Sequence, residues 1–175
     1  MLVNLTDILT SEGKETFVTV PLEMKSFTSK LGKFEIIEQS PVSFHFTNVN
    51  SGKAELEGSV KLVFDTFCDR CLTAVPIELN LCFERVIRSP EISESDTDSE
   101  EDSSFVDGYH FNVESFIYNE ILINWPMKIL CKPDCKGTCP VCGQNLNEGE
   151  CGCDTFMPDP RMEAIKDIFN ANKEV

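Results

Sequence analysis

Eight of the nine cysteines in this chain fall into four close pairs: Cys68 with Cys71, Cys131 with Cys135, Cys139 with Cys142, and Cys151 with Cys153. Thiolates two to four residues apart can face one metal ion from a single tight turn. Four such pairs supply two tetrahedral zinc sites, or one site with thiols to spare. Cys82 stands alone, and its isolation reads as a small strand residue rather than a ligand.

The clearest motif is Cys139-Pro140-Val141-Cys142-Gly143. In such a knuckle the sulfurs converge while backbone amides turn toward them. Proline fixes one backbone angle, and glycine relieves the turn after the second cysteine. Asn145-Leu146-Asn147 and Gly149 continue as a tight loop to Cys151-Gly152-Cys153. The spacing predicts one zinc on Cys139, Cys142, Cys151 and Cys153. Cys68-Asp69-Arg70-Cys71 is the second knuckle. Two cysteines cannot complete a tetrahedron, and the remaining pair, Cys131 and Cys135, follows the break at Pro126. The expected second site is therefore Cys68, Cys71, Cys131 and Cys135. An alternative places Cys135 in the C-terminal group and leaves Cys68 and Cys71 free.

All-cysteine sites are closed and structural, whereas catalytic zinc keeps an open position and draws on His, Asp or Glu. The two histidines, His45 and His110, lie far from the cysteines in sequence. No nucleophile elbow, Walker loop or dinucleotide fingerprint occurs. No enzyme activity, catalytic residue or small-molecule substrate is expected. A redox Cys-x-x-Cys would open a helix after a strand. Here Leu72-Thr73-Ala74-Val75-Pro76 leads into a strand instead.

The elements that must position these thiols are mostly β. Val42, Phe44 and Phe46 alternate with Ser43, His45 and Thr47. A turn signal at 48–52 follows, and then a long alternation from Ala54 to Phe64. These read as an antiparallel hairpin. Ile77, Leu79, Leu81 and Phe83 mark a third strand ending near Ile87. Gly108-Tyr109-His110-Phe111 reads as a short strand. Asn112 caps a helix over 113–124, with Val113, Phe116, Ile117 and Ile121 as its apolar stripe. Tyr118, Leu122 and Ile123 widen that coverage, and Pro126 stops the helix. Asp159-Pro160-Arg161 opens a terminal helix with Met162, Ile165, Ile168 and Phe169 on one face. The fold class is α+β: an antiparallel β-sheet body with two packed helices and a C-terminal Cys-rich zinc-knuckle module. Residues 1–130 form the body, and 131–175 form the zinc module and terminal helix.

At 175 residues the chain is one domain by length, with room for a small appendage. The first residues show no secretory pattern, and no apolar run approaches the ~20 residues of a membrane helix. A cytoplasmic chain with reduced thiols is expected, without membrane contact. The net charge is −15. Seven of the 30 acidic residues lie in 91–104, which holds no base. That segment reads as an acidic loop: a solvating spacer, or a landing site for a basic partner. The overall charge argues against broad binding to nucleic-acid phosphates. Lys128, Lys132, Lys136, Arg70, Arg85 and Arg88 are the bases that would make a local patch near a shared zinc; scattered, solvated charges are the plainer reading.

Taken in order, several stretches resemble the bacterial YceD family, the large ribosomal RNA subunit accumulation proteins. They are Cys68-Asp69-Arg70-Cys71-Leu72, the run Cys135-Lys136-Gly137-Thr138-Cys139-Pro140-Val141-Cys142-Gly143, Asn145-Leu146-Asn147, Cys151-Gly152-Cys153 and Asp159-Pro160-Arg161. The resemblance implies a role in large-subunit (23S) rRNA accumulation or processing, and hence in ribosome assembly. It implies an rRNA precursor or a large-subunit ribosomal protein as partner. It carries over Cys68, Cys71, Cys135, Cys139, Cys142, Cys151 and Cys153 as motif positions and no catalytic role. Two other functional readings stay open at this level: a zinc- or thiol-redox-responsive regulatory protein, and an RNA-processing enzyme.

Overall fold

The computed structural model describes residues 1–50, 52–89 and 105–154. The acidic segment 91–104 and the terminal helix expected after Asp159 lie outside the described residues. The chain divides into two compact units. The first comprises Met1–Phe67 and Ala74–Ile129; the second comprises Cys68–Thr73 and Leu130–Val175.

The first unit is mainly antiparallel sheet. Its elements are β1 (Leu2–Asn4), α1 (Thr6–Thr10), β2 (Glu15–Val20), β3 (Ser26–Ser29), β4 (Gly32–Gln39), β5 (Val42–Asn50), β6 (Lys53–Phe67), β7 (Ala74–Arg88), β8 (Val106–Asp107), β9 (His110–Asn112) and α2 (Val113–Asn124). The main sheet runs β2-β5-β6-β4-β3, and β7 pairs with β6 along its whole length, from Lys53↔Arg88 to Phe67↔Ala74. β6 is long enough to take two partners in succession on its other edge. Its first half pairs with β5 and its second half with β4. The break between them falls at Pro41, which has no N–H to give a ladder. Ser40 bridges the gap: its N–H donates to the Lys61 carbonyl at 2.9 Å, and its hydroxyl accepts from Lys61 N–H at 2.9 Å. A smaller sheet, β1-β9-β8, closes the N-terminus onto the segment before α2.

The period-2 pattern fixes which face is buried. Phe44 and Phe46 of β5 and Leu56, Val60, Leu62 and Phe64 of β6 point into the core, together with Leu81, Phe83 and Ile87 of β7. Helix α2 adds Val113, Phe116, Ile117 and Ile121, the stripe read from sequence. The Asn112 side chain caps it by accepting from Ser115 N–H at 3.2 Å. The helix ends at Asn124, ahead of Pro126. Leu122 and Ile123, by contrast, stay exposed, so the apolar face is narrower than their hydrophobicity suggests. Glu120 is buried among the apolar residues and meets Arg85 of β7 at 2.7 Å; a buried carboxylate needs such a partner. α1 is a second helix that the sequence reading did not anticipate; it buries Ile8 and Leu9. Among the described residues no helix is long and apolar enough to cross a membrane.

Candidate metal centres

The second unit is built around sulfur. Among its described residues, the buried ones are Cys68, Cys71, Cys135, Gly137 and Cys139. Every member of the hydrophobic core cluster belongs to the first unit. Its eight cysteines gather into two groups of four: Cys68, Cys71, Cys131 and Cys135, and Cys139, Cys142, Cys151 and Cys153. Within each group the Sγ atoms lie within 4.8 Å of one another. Cys135 therefore stands with Cys68 and Cys71, not in the C-terminal group. Cys82 is exposed on β7 opposite Ser59 and joins neither.

The spacing fits a metal ion. A tetrahedron with metal–sulfur bonds of about 2.3 Å has edges of about 3.8 Å. The Cys68–Cys135 and Cys71–Cys131 sulfur separations are 3.8 Å and 3.6 Å. These are tetrahedral edges and far longer than the ~2.05 Å of a disulfide. Both groups consist of cysteine alone, the donor set of a closed, structural centre.

Two knuckles of one design hold the leading thiols. In the first, Leu72 N–H donates to the Cys68 carbonyl at 2.9 Å; in the second, Gly143 N–H donates to the Cys139 carbonyl at 2.9 Å. The donating residue is left-handed in both, with φ of 59° at Leu72 and 75° at Gly143. Glycine takes that conformation freely, whereas a bulky residue rarely does, so the first knuckle carries local strain that the second avoids. Val141 N–H then points at Cys139 Sγ, 3.4 Å away.

The thiols in each group titrate apart. Burial pushes the Cys68 thiol up, but backbone N–H groups of Cys131, Cys71 and Arg70 outweigh it and bring the thiol down to about 6. The Cys142 and Val141 N–H groups bring Cys139 down to about 6. Burial, with Cys71, Cys135 and Cys68 around it, pushes Cys131 up to about 12. Cys153 is pushed up to about 12 by Cys142 and Cys151. In the first group Cys68 and Cys71 are thus drawn toward the thiolate while Cys131 holds its proton beside them. In the second Cys139 is drawn toward the thiolate while Cys151 and Cys153 are pushed up. A bound cation removes that conflict, because it favours the ionised form of all four and displaces the protons.

Arg70 Nη1 donates to the Cys135 carbonyl at 2.8 Å, tying the first knuckle to the segment that follows. Arg85 is taken up by Glu120 within the first unit. These two bases therefore serve the fold.

Each group brings four cysteine sulfurs together and could hold a metal ion. Residues 56–169 match the family described as large ribosomal RNA subunit accumulation protein YceD, and the chain belongs to that family. The family's name places it in the accumulation of large-subunit ribosomal RNA. The chain is also similar to proteins described only as uncharacterized from Mycobacterium bovis and from two strains of Mycobacterium tuberculosis, at 25% identity over 107 residues. That stretch covers 61% of this chain and 51% of each relative, so the chain spans about half the length of the curated relatives it matches. No solved structure matches it.

Proposed function

We propose that this protein is a non-enzymatic assembly factor for the large ribosomal subunit. In this reading it supports accumulation or processing of 23S rRNA in the cytoplasm by binding an rRNA precursor or a basic large-subunit ribosomal protein. The match of residues 56–169 to a family named for rRNA accumulation carries the reading. The all-cysteine groups support it, because closed centres stabilise a binding surface and leave no coordination position for a substrate. The net charge of −15 favours a basic partner. Residues 1–130 act as the body, and 131–175, together with the Cys68–Cys71 knuckle, as the metal module.

The ion in each centre is zinc: cysteine thiolate in a tetrahedral set of four suits it best among common cations. Metal analysis of the purified chain is expected to give two zinc ions. A Cys68→Ser, Cys71→Ser double variant should retain one, and no loss would show that the first group is not a site.

The function is tested by tagging the chain in its host and purifying it gently at moderate salt. Co-purification of large-subunit precursor rRNA or its ribosomal proteins is the expected result, and nuclease treatment then separates direct contacts from indirect ones. Recovery of neither from cells making ribosomes rapidly would overturn the assembly role.

A further inference from the structure

Asn145-Leu146-Asn147 lies between Cys142 and Cys151, inside the loop that the second cysteine group closes. Its polar side chains nevertheless serve the first group. Asn147 Nδ2 donates to Cys135 Sγ at 3.3 Å, while Asn147 Oδ1 accepts from Lys136 N–H at 3.0 Å. The Lys136 amide can only donate, which fixes the oxygen on that side and turns the NH2 toward sulfur. Asn145 Oδ1 accepts from Asn147 N–H at 3.0 Å and from its Nδ2 at 2.8 Å, and so orients the amide. Asn145 Nδ2 lies 3.5 Å from Thr73 Oγ1, which is itself 3.3 Å from Cys71 Sγ. Two sulfurs of the first group are therefore supported, directly or through one hydroxyl, from the loop of the second.

The backbone carries the same connection. Three residues, Lys136-Gly137-Thr138, separate Cys135 of the first group from Cys139 of the second. Thr138 N–H donates to the Arg70 carbonyl at 3.1 Å, and Leu146 N–H donates to the Gly137 carbonyl at 2.9 Å. Gly137 has φ +79°, and a Cβ there would lie 3.2 Å from the Arg70 oxygen, so glycine permits this close approach. The loop from Gly143 to Glu150 has no buried residue to hold it. Its anchors are the cysteines at its ends and backbone bonds such as Cys139 N–H to Gln144 O at 2.8 Å.

We propose that the two metal centres are energetically coupled and that Asn147 is the positioning residue through which an ion in the second centre tightens the first. The proposal rests on the reading that both groups hold zinc. Hydrogen bonds to ligating atoms orient them and tune their donor strength, and losing one typically costs about 10–100-fold in metal affinity. Coupling between two binding sites is also reciprocal.

The test uses the full chain, with Co2+ as a spectroscopic probe and Zn2+ in competition with a chelator. In a Cys151→Ser, Cys153→Ser variant the ion left in the first centre should bind more weakly, and in a Cys68→Ser, Cys71→Ser variant the second centre should weaken by the same factor. Asn147→Asp keeps all eight thiols and the acceptor for Lys136 N–H but removes the donor to Cys135. It should still bind two ions, with the first centre weakened by about 10–100-fold. Losing an N–H bond to a thiolate raises its donor level, so the cobalt–thiolate band of that centre should move to longer wavelength. Unchanged affinity and spectrum in Asn147→Asp, or a double variant that leaves the other centre's affinity unchanged, would overturn the coupling while leaving the zinc reading intact. A wild-type chain that binds neither metal would overturn both.

Discussion

Stripping zinc from the loaded protein with a strong chelator is expected to unfold residues 130–154 while the sheet stays folded. Among the described residues of the second unit, the buried ones apart from Gly137 are all cysteines, and none belongs to the hydrophobic core cluster. A segment of this kind cannot offset the conformational entropy of ordering its backbone, about 1–2 kcal/mol per residue. Structural zinc sites contribute apparent binding energies of about 10–16 kcal/mol, which in such modules is folding energy. The first unit stands on a different footing, with a cluster of Phe, Leu, Ile and Val side chains from its sheets and helices. Hydrogen exchange should therefore show amides such as those of Thr138, Cys139, Gly143 and Leu146 losing protection after chelation. β6 and β7 should keep theirs from Ala54 to Val63 and from Glu78 to Ile87. The single tryptophan, Trp125, gives an independent control. Its ring packs against Phe27, Phe34 and Phe64 in the first unit, so its emission should not move. Full protection of the second unit without metal would mean that something other than the sulfur groups holds it.

Much of this arrangement is legible in the sequence, for reasons that differ by element. β5, β6 and the inner half of β7 announce themselves because one face is dry and the other wet, which forces strict alternation. Asn112 and Pro126 bracket α2 with a cap and a stop whose chemistry is local. The cysteine groups are legible because each pair sits on one turn. The placing of Cys135 is harder, since spacing alone allows it in either group, and it is decided by the Arg70–Cys135 hydrogen bond and the 3.8 Å approach to Cys68. β1, α1, β2 and β3 leave weak signals. β1 is three residues long and β3 four, and each is stabilised by a distant partner, β1 by β9 and β3 by β4. The division of β6 between β5 and β4 is a long-range outcome that only hindsight attaches to Pro41. The bonds from Asn145 and Asn147 to the first group are also tertiary, although the Asn-Leu-Asn motif is conspicuous from the start.

Replacing Phe116 by alanine is expected to destabilise the first unit by about 3–5 kcal/mol, the cost of deleting a large buried aromatic and leaving a cavity. Phe116 is fully buried on α2 and meets four other rings: Phe83 at 4.9 Å, Phe105 at 5.0 Å, Phe111 at 5.2 Å and Phe44 at 6.2 Å between centroids. Three of these contacts are edge-to-face, the favoured aromatic geometry, which adds to plain burial. The four partners come from β5, β7, β9 and the segment just before β8. One side chain thus ties the helix to the main sheet and to the small sheet together, and no single neighbour can relax into the space without leaving another ring. Urea unfolding followed by Trp125 emission reads the loss directly. The midpoint should fall while the slope is kept, because the surface exposed on unfolding is unchanged. Phe116→Leu keeps most of the volume and should recover the larger part of the difference. Zinc content should remain at two ions in both variants, since the sulfur groups belong wholly to the other unit. A variant that lost metal together with sheet stability would show that the two units do not fold independently. A midpoint equal to wild type would mean that α2 is not fixed to the sheet through this ring.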